Sequence, residues 1–478
     1  NEELQDDTLV VVTQNGKVKG LNMTSSCGQP VQVFYGIPYA EPPTGNLRFQ
    51  LPKPKAPWTG IFNATTKPNS CFQIIDETFG NFSGSTMWNA NTPMSEDCLM
   101  LNVWTPDPRP NNAAVLVWIY GGGFYSGTST LDVYDARTLA AEEGAIVVSM
   151  NHRVASLGFL FLDTEQAPGN MGLFDQRMAL EWVQHNIKNF GGDPDRVTLF
   201  GESSGAASIS WHLLSEASRT LFKNAIMQSG ALTAPWASHN VSTALERATS
   251  LARSLNCSGD IEGNSTVILQ CLMDRNARDI VYNEWSSISH ILDFPFAPVS
   301  KTGSFKESVQ RYFRNESLEK KPVLLGSNKD EASFFLIYFL PWLNDTRPTE
   351  IDNFTATLRL LLPHADNLTL QEIQDLYVNG DSTDLGDALD KIVGDYHFTC
   401  PMVDWANQSA RIGIPVFQYY FKHRSTRNPW PQWTGVLHGD EIAFEFGQPL
   451  DPWLCHSEDE KELSRRMMRY WANFAKTG

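Results

Sequence analysis

The seven cysteines contain no C-x-x-C pair, so the thiolate spacing of zinc ribbons and thioredoxin-like redox sites is missing. No apolar run reaches the roughly 18 residues that a membrane-crossing helix needs. The longest candidate, Phe334–Leu343, is short and contains Pro341. Positive charge is scarce: 37 Lys and Arg face 54 Asp and Glu, for a net charge of −17. That balance argues against nucleic acid as a partner, which requires a basic face. Internal repeats, low-complexity tracts and linkers fit to divide domains are also lacking. The first residues, Asn1-Glu2-Glu3, are neither an initiator methionine nor a signal peptide, and read as a processed terminus.

What is present fits a large globular enzyme. Hydrophobic residues make up 42% of the chain and charged residues 19%, enough to fill a core and too apolar for disorder. The acidic excess suits a cationic ligand, or solubility alone. Sequons without a central proline occur at Asn22, Asn63, Asn81, Asn240, Asn256, Asn264, Asn315, Asn344, Asn353, Asn367 and Asn407. That density predicts N-linked glycans and passage through the secretory pathway.

The coarse pattern alternates strands and helices. Residues 8–38 read as short strands, and Ala40–Pro57 as a proline-rich loop. Val115–Tyr120 and Ala145–Met150 are unbroken apolar runs of the kind found in buried parallel strands. Gly172–Phe190 has helical spacing and stops at Gly191-Gly192. Further strands are expected at Arg196–Phe200, Ala225–Met227, Pro322–Leu325 and Pro415–Tyr420. The expectation is an α/β chain, with a large, mostly parallel central sheet flanked by helices. Length alone would allow two or three domains, but no boundary is visible, so one catalytic domain over 1–478 is expected.

The most informative residues are Gly201-Glu202-Ser203-Ser204-Gly205, between the strand ending at Phe200 and the helical stretch Ala206–Leu214. G-x-S-x-G at a strand-to-helix turn is the nucleophile-elbow pattern. A serine hydroxyl needs a base, and the base needs an acid to fix its tautomer. In α/β-hydrolases the chain order is Ser, acid, His. Of the later histidines, His438 lies in a glycine-flanked loop after the last strand. Glu331 lies just beyond the strand ending at Leu325, where it reads equally as an acid at a helix N-terminus. All three candidates fall at the carboxyl edge of the sheet, where open α/β folds bind ligands. Gly121-Gly122-Gly123-Phe124 follows another strand and offers spare N–H groups for an oxyanion, with Ser204 N–H as the usual further donor.

With these residues in place, the chain resembles the cholinesterase branch of the type-B carboxylesterase family, and invertebrate members in several details. The resemblance spans nearly the whole sequence. It rests on Met87–Asn89, Ser95–Leu99, Gly121–Gly127, Gly201–Ser208, Asn328–Phe335 and Trp433–Glu441. It implies an α/β-hydrolase fold, a triad of Ser203, Glu331 and His438, and oxyanion donors Gly122, Gly123 and Ser204. It implies that Trp88, Glu202, Phe334 and Tyr338 hold a choline head, since aromatic faces attract a quaternary ammonium. It assigns Trp236, Leu292, Phe294 and Phe335 to the acyl pocket, with Leu292 resembling the insect arrangement. It assigns Asp76, Tyr125, Trp285 and Trp433 to the outer gorge, where Ile74 replaces a vertebrate tyrosine.

The resemblance also pairs Cys71 with Cys98 and Cys257 with Cys271, leaving Cys27, Cys400 and Cys455 without assigned partners. The family's C-terminal region, which carries a partner cysteine and helps form dimers, extends beyond Gly478. Implied partners are small cationic choline esters and organophosphate or carbamate inhibitors, with a homodimer and C-terminal anchoring as further expectations. No cofactor or metal is expected. The implied activity is hydrolysis of acetylcholine outside the cell. Two alternatives remain: a broad carboxylesterase, and an adhesion protein of the neuroligin kind, against which the intact triad argues.

Overall fold

The computed structural model describes residues 7–257, 265–288, 290–301, 303, 305–315, 319–340, 351–378 and 385–478. Asn264 and Asn344, named above as sequons, and residues 341–343 of the longest apolar run lie outside them, as does the side chain of Asn353.

A nine-stranded sheet organises the chain. Its strands are β1 (Leu21–Thr24), β2 (Pro30–Pro38), β3 (Met100–Pro106), β4 (Ala113–Ile119), β5 (Ile146–Met150), β6 (Gly192–Glu202), β7 (Asn224–Gln228), β8 (Val323–Asn328) and β9 (Val416–Phe421). The spatial order is β9-β8-β7-β6-β4-β5-β3-β2-β1. From β9 to β5 every neighbouring pair is parallel. The wing β5-β3-β2-β1 is antiparallel, so the sheet is mixed, with most of its pairs parallel as expected. A separate small sheet joins Val10–Thr13, Gly16–Lys19 and Ile61–Asn63.

The centre of the sheet is where the sequence is most apolar. Every residue of β4 is buried, as is every residue of β5 and β7. This follows from parallel strands covered on both faces. Trp118 of β4 packs on Phe200 of β6, with ring centres 4.8 Å apart, and on Phe446 at 5.1 Å. Helices α1 (Met171–Asn186), α2 (Ser204–Leu214) and α3 (Glu458–Thr477) cover the sheet, and α3 packs against β4, β6 and β7. A capping box closes the start of α3: Ser457 and Glu460 each take the other's backbone N–H.

Because β4, β6 and β8 run parallel, the Gly121–Gly123 loop, Ser203 and Glu331 leave one edge together. The segment after β5 braces this edge. Ala155 N–H donates to Phe124 O (2.7 Å), and His152 N–H donates to Tyr120 Oη (3.1 Å). A buried ion pair fixes that segment: Asp175 of α1 accepts from Arg153 N, Nε and Nη2 at 3.0, 2.8 and 2.7 Å. Arg153 Nη1 donates to Gln50 O (2.7 Å). With both partners nearly solvent-free, removing one strands the other's charge. Asp175→Ala is expected to cost about 3–5 kcal/mol of stability, read as a lowered unfolding midpoint in denaturant. A shift below about 1 kcal/mol, the size of an exposed pair, would contradict this account.

Candidate active site

The turn from β6 into α2 holds one residue, Ser203, in an unusual conformation (φ 56°, ψ −124°). Such backbone costs on the order of 1–3 kcal/mol and persists only where neighbours enforce it. Ser203 N–H donates to Gln228 O at 2.8 Å, and Ser203 O accepts from Ala207 N–H at 2.9 Å. The flanking glycines are required by contact rather than by their own φ. A Cβ on Gly201 would sit 2.5 Å from Ile119 O, and one on Gly205 would collide with the same carbonyl. The elbow thus presses directly on the end of β4.

That pressure positions the glycine loop. Phe124 N–H donates to Ser204 Oγ at 3.2 Å, tying loop to elbow. Gly122 and Gly123 have φ of 110° and 58°, and a Cβ on Gly122 would lie 2.5 Å from Ser126 O. Ser204 is the first residue of α2, so its N–H has no carbonyl one turn earlier and carries the helix's positive end.

His438 Nδ1 lies 2.6 Å from Glu331 Oε2. Because the acceptor is a carboxylate, the proton belongs on Nδ1, leaving Nε2 as the basic nitrogen. Glu331 is held in turn by Ser229 Oγ (2.6 Å) and Asn328 N–H (2.7 Å), both donating to its Oε1. His438 Nε2 lies 3.0 Å from Glu202 Oε1, without the alignment of a hydrogen bond. Phe335 and Phe398 flank the imidazole, with ring centres 5.0 and 4.6 Å away. Burial pulls the His438 pKa down, but Glu202 and Glu331 hold the imidazolium, and the net shift is well upward.

A second layer of acids stands behind this pair. Glu441 accepts from Asn328 Nδ2 (2.6 Å) and Gln228 Nε2 (3.2 Å). Burial, with Glu202 and Glu331 nearby, pushes its carboxyl up to about 8. Asp440, pushed up to about 7 by burial, accepts from Leu437 N–H (2.9 Å) and Asn428 Nδ2 (2.8 Å) and so fixes the loop bearing His438.

Ser203 and His438 open on a cavity of about 460 Å³. Trp88, Glu202, Phe334, Tyr338, Leu292, Phe294, Phe335, Asp76, Tyr125 and Trp285, all named in the sequence analysis, line it. Gly122 and Gly123 line it as well. Trp88 leans on the His438 loop: a Cβ on Gly439 would lie 3.3 Å from its ring. Tyr338 Oη donates to Asp76 Oδ2 at 2.5 Å, joining one residue assigned to the choline site to one assigned to the outer gorge. Tyr125 packs edge-on against Trp285, with centres 4.7 Å apart.

Two expected lining residues do not line the cavity. Trp236 is buried behind Phe294 and Phe398, ring centres 5.9 and 5.8 Å away, and donates its N–H to His397 O (2.9 Å). Trp433 packs with Phe79, Phe82, Trp430, Phe334 and Tyr338 in an aromatic cluster, and also against the main core. Both support the wall from outside. Sequence reasoning missed Phe398, Glu441 and Trp430. Glu441 alone carried a signal, three residues after His438; Phe398 sits in a π-helical turn (Asp395–Thr399) that no local pattern announces.

Disulfides join Cys71 to Cys98 and Cys257 to Cys271, as the resemblance implied. Cys27, Cys400 and Cys455 are exposed and free.

The model of the carboxylesterase family matches residues 7–478. The chain belongs to that family. This carboxylesterase is 46% identical over 479 residues to an acetylcholinesterase of Bungarus fasciatus, covering 98% of the chain and 78% of that relative. It is also 46% identical over 488 residues to acetylcholinesterase 1 of Caenorhabditis briggsae, covering 96% of the chain and 77% of the relative.

The two carboxylates around His438 set the acid limb of the carboxylesterase's pH profile. If His438 serves as the base, it works only when neutral, and activity falls as pH drops through its pKa. Glu202→Gln removes one anion that favours the imidazolium, so that pKa falls. The acid limb of kcat/KM for a neutral acetate ester is expected to move to lower pH. A limb that stays or moves upward would contradict the arrangement.

Proposed function

We propose that this chain hydrolyses acetylcholine to choline and acetate through an acetyl-serine intermediate. The observation that carries the reading is that the Trp88 indole and Ser203 face the same cavity, with Glu202 and Phe334 beside them. A quaternary ammonium donates no hydrogen bond, so aromatic faces and diffuse negative charge must hold it. Each face is worth about 0.5–2 kcal/mol. Asp76 and Glu77 add negative charge to the lining.

The proposed steps use residues of the chain alone. His438 Nε2 takes the Ser203 proton as the serine oxygen attacks the acetyl carbonyl. The carbonyl oxygen becomes an anion facing the N–H groups of Gly122, Gly123 and Ser204; losing one such donor costs about 3–4 kcal/mol of barrier. Glu331 stabilises the imidazolium that forms. Choline leaves with the proton from Nε2. A water, deprotonated by the same nitrogen, then releases acetate. Leu292, Phe294 and Phe335 bound the acyl end, which favours acetyl over butyryl. The preference is modest, since one methylene is worth about 1–3 kcal/mol.

Secretion and N-glycosylation belong to the same reading. The eight sequon asparagines with described side chains, Asn22, Asn63, Asn81, Asn240, Asn256, Asn315, Asn367 and Asn407, are all exposed. Among the described residues no helix is long and apolar enough to cross a membrane. The proposed enzyme is extracellular and synaptic, ends cholinergic signalling, and is inhibited by organophosphates and carbamates that phosphorylate or acylate Ser203. One catalytic domain, a homodimer and anchoring through a further C-terminal segment complete the proposal.

Two variants test it. Ser203→Ala is expected to cut kcat by about 10⁶; persisting turnover would move the nucleophile elsewhere. Trp88→Ala is expected to lower kcat/KM for acetylcholine at least tenfold relative to phenyl acetate, the loss of roughly 1.4 kcal/mol of cation binding. An unchanged ratio would favour a broad carboxylesterase.

A further inference from the structure

We propose that His290 and His364 form a bis-imidazole site for a divalent transition-metal ion, Zn²⁺ or Cu²⁺, at the outer end of the cavity. The two rings meet edge-to-face, with centres 5.7 Å apart and planes at 73°. With metal–nitrogen bonds of about 2.0–2.1 Å, two imidazoles on one tetrahedral ion have ring centres about 5 Å apart. The observed spacing is close to that value, so small side-chain rotations would bring one nitrogen of each ring onto a shared ion.

The pair is free for this task. Among the described residues no hydrogen bond or ion pair engages either ring. Other histidines are committed: His438 to Glu331, and His423 and His456 to Glu460. His212 spends its ring nitrogens on Gln176 and Ser218. His290 lines the cavity and is half-buried, while His364 is exposed, which puts the pair at the solvent end, far in burial from Ser203. Imidazole suits Zn²⁺ and Cu²⁺, with water completing the shell. Asp76 and Glu77 of the same lining, with the net charge of −17, concentrate cations there. Asp293 also lines the cavity, but its carboxylate is held by Arg247 Nη2 at 2.6 Å.

A bound ion would have two effects. It would clamp the stretch His290–Phe294, which carries Leu292, to the turn after the helix Ile351–Leu361. It would also place a double positive charge beside the route inward. At about 5 Å and the dielectric of water, that slows a passing monocation about tenfold. A neutral ester pays no such penalty. The second effect rests on the functional reading above; the binding does not.

Zn²⁺ bound per chain is measured by equilibrium dialysis on the intact protein, His290→Ala and His364→Ala. The expected result is one Zn²⁺ fewer on each variant; equal numbers on all three would overturn the site. Turnover is then followed by proton release, because the thiol of thiocholine would itself bind the metal. Saturating Zn²⁺ is expected to lower kcat/KM for acetylcholine about tenfold and for phenyl acetate much less, with the difference abolished in His364→Ala. Equal inhibition of both esters would overturn the charge barrier. Loss of one Zn²⁺ in the variants, without acetylcholine turnover in any of the proteins, would uphold the site and refute the functional reading alone.

Discussion

Two backbones meet with no side chain between them where Gly201 and Gly205 pass the carbonyl of Ile119. The strands β4 and β6 can approach so closely at their ends only because neither glycine has a Cβ. This contact turns the chain sharply enough to hold Ser203 at positive φ and start a helix on the next residue. It also brings the glycine loop after β4 within reach of Ser204 Oγ. The positions of Ser203 and of the glycine loop are therefore one packing event, not two features that happen to be near.

Around that event the charges are arranged to favour one transient cation. His438 stands between Glu331 and Glu202, both almost free of solvent. Burial alone would make the imidazole a weak base, whereas the two carboxylates favour its imidazolium form. Glu441 behind them, its carboxyl pushed upward by burial and the neighbouring acids, accepts hydrogen bonds from Asn328 and Gln228. The same negative surroundings that favour the imidazolium favour a cationic substrate, so catalysis and recognition draw on one electrostatic field.

Much of this was legible in the residues. The runs Val115–Tyr120 and Ala145–Met150 became β4 and β5 because a strand covered on both faces must be apolar throughout. The antiparallel wing was less visible: Pro30–Pro38 and Met100–Pro106 carry no mark of direction, since strand polarity depends on partners. Trp236 and Trp433 had the right identity for cavity walls, but aromatic rings serve equally as second-layer packing. Phe294, and Phe334 with Tyr338, took the inner positions in front of them.

The amino-acid sequence by itself determined the chemistry: a serine flanked by glycines, a histidine, a glutamate and a glycine run in an order that parallel strands bring to one edge. Local residue types dictate these features through sterics and hydrogen bonding over a few positions. Only the tertiary structure decided which aromatics face the cavity, that Glu202 stands against His438 Nε2, and that His290 meets His364. Those contacts join residues up to 236 positions apart, as Glu202 and His438 do, and a distance of that kind is set by how layers pack rather than by any local pattern.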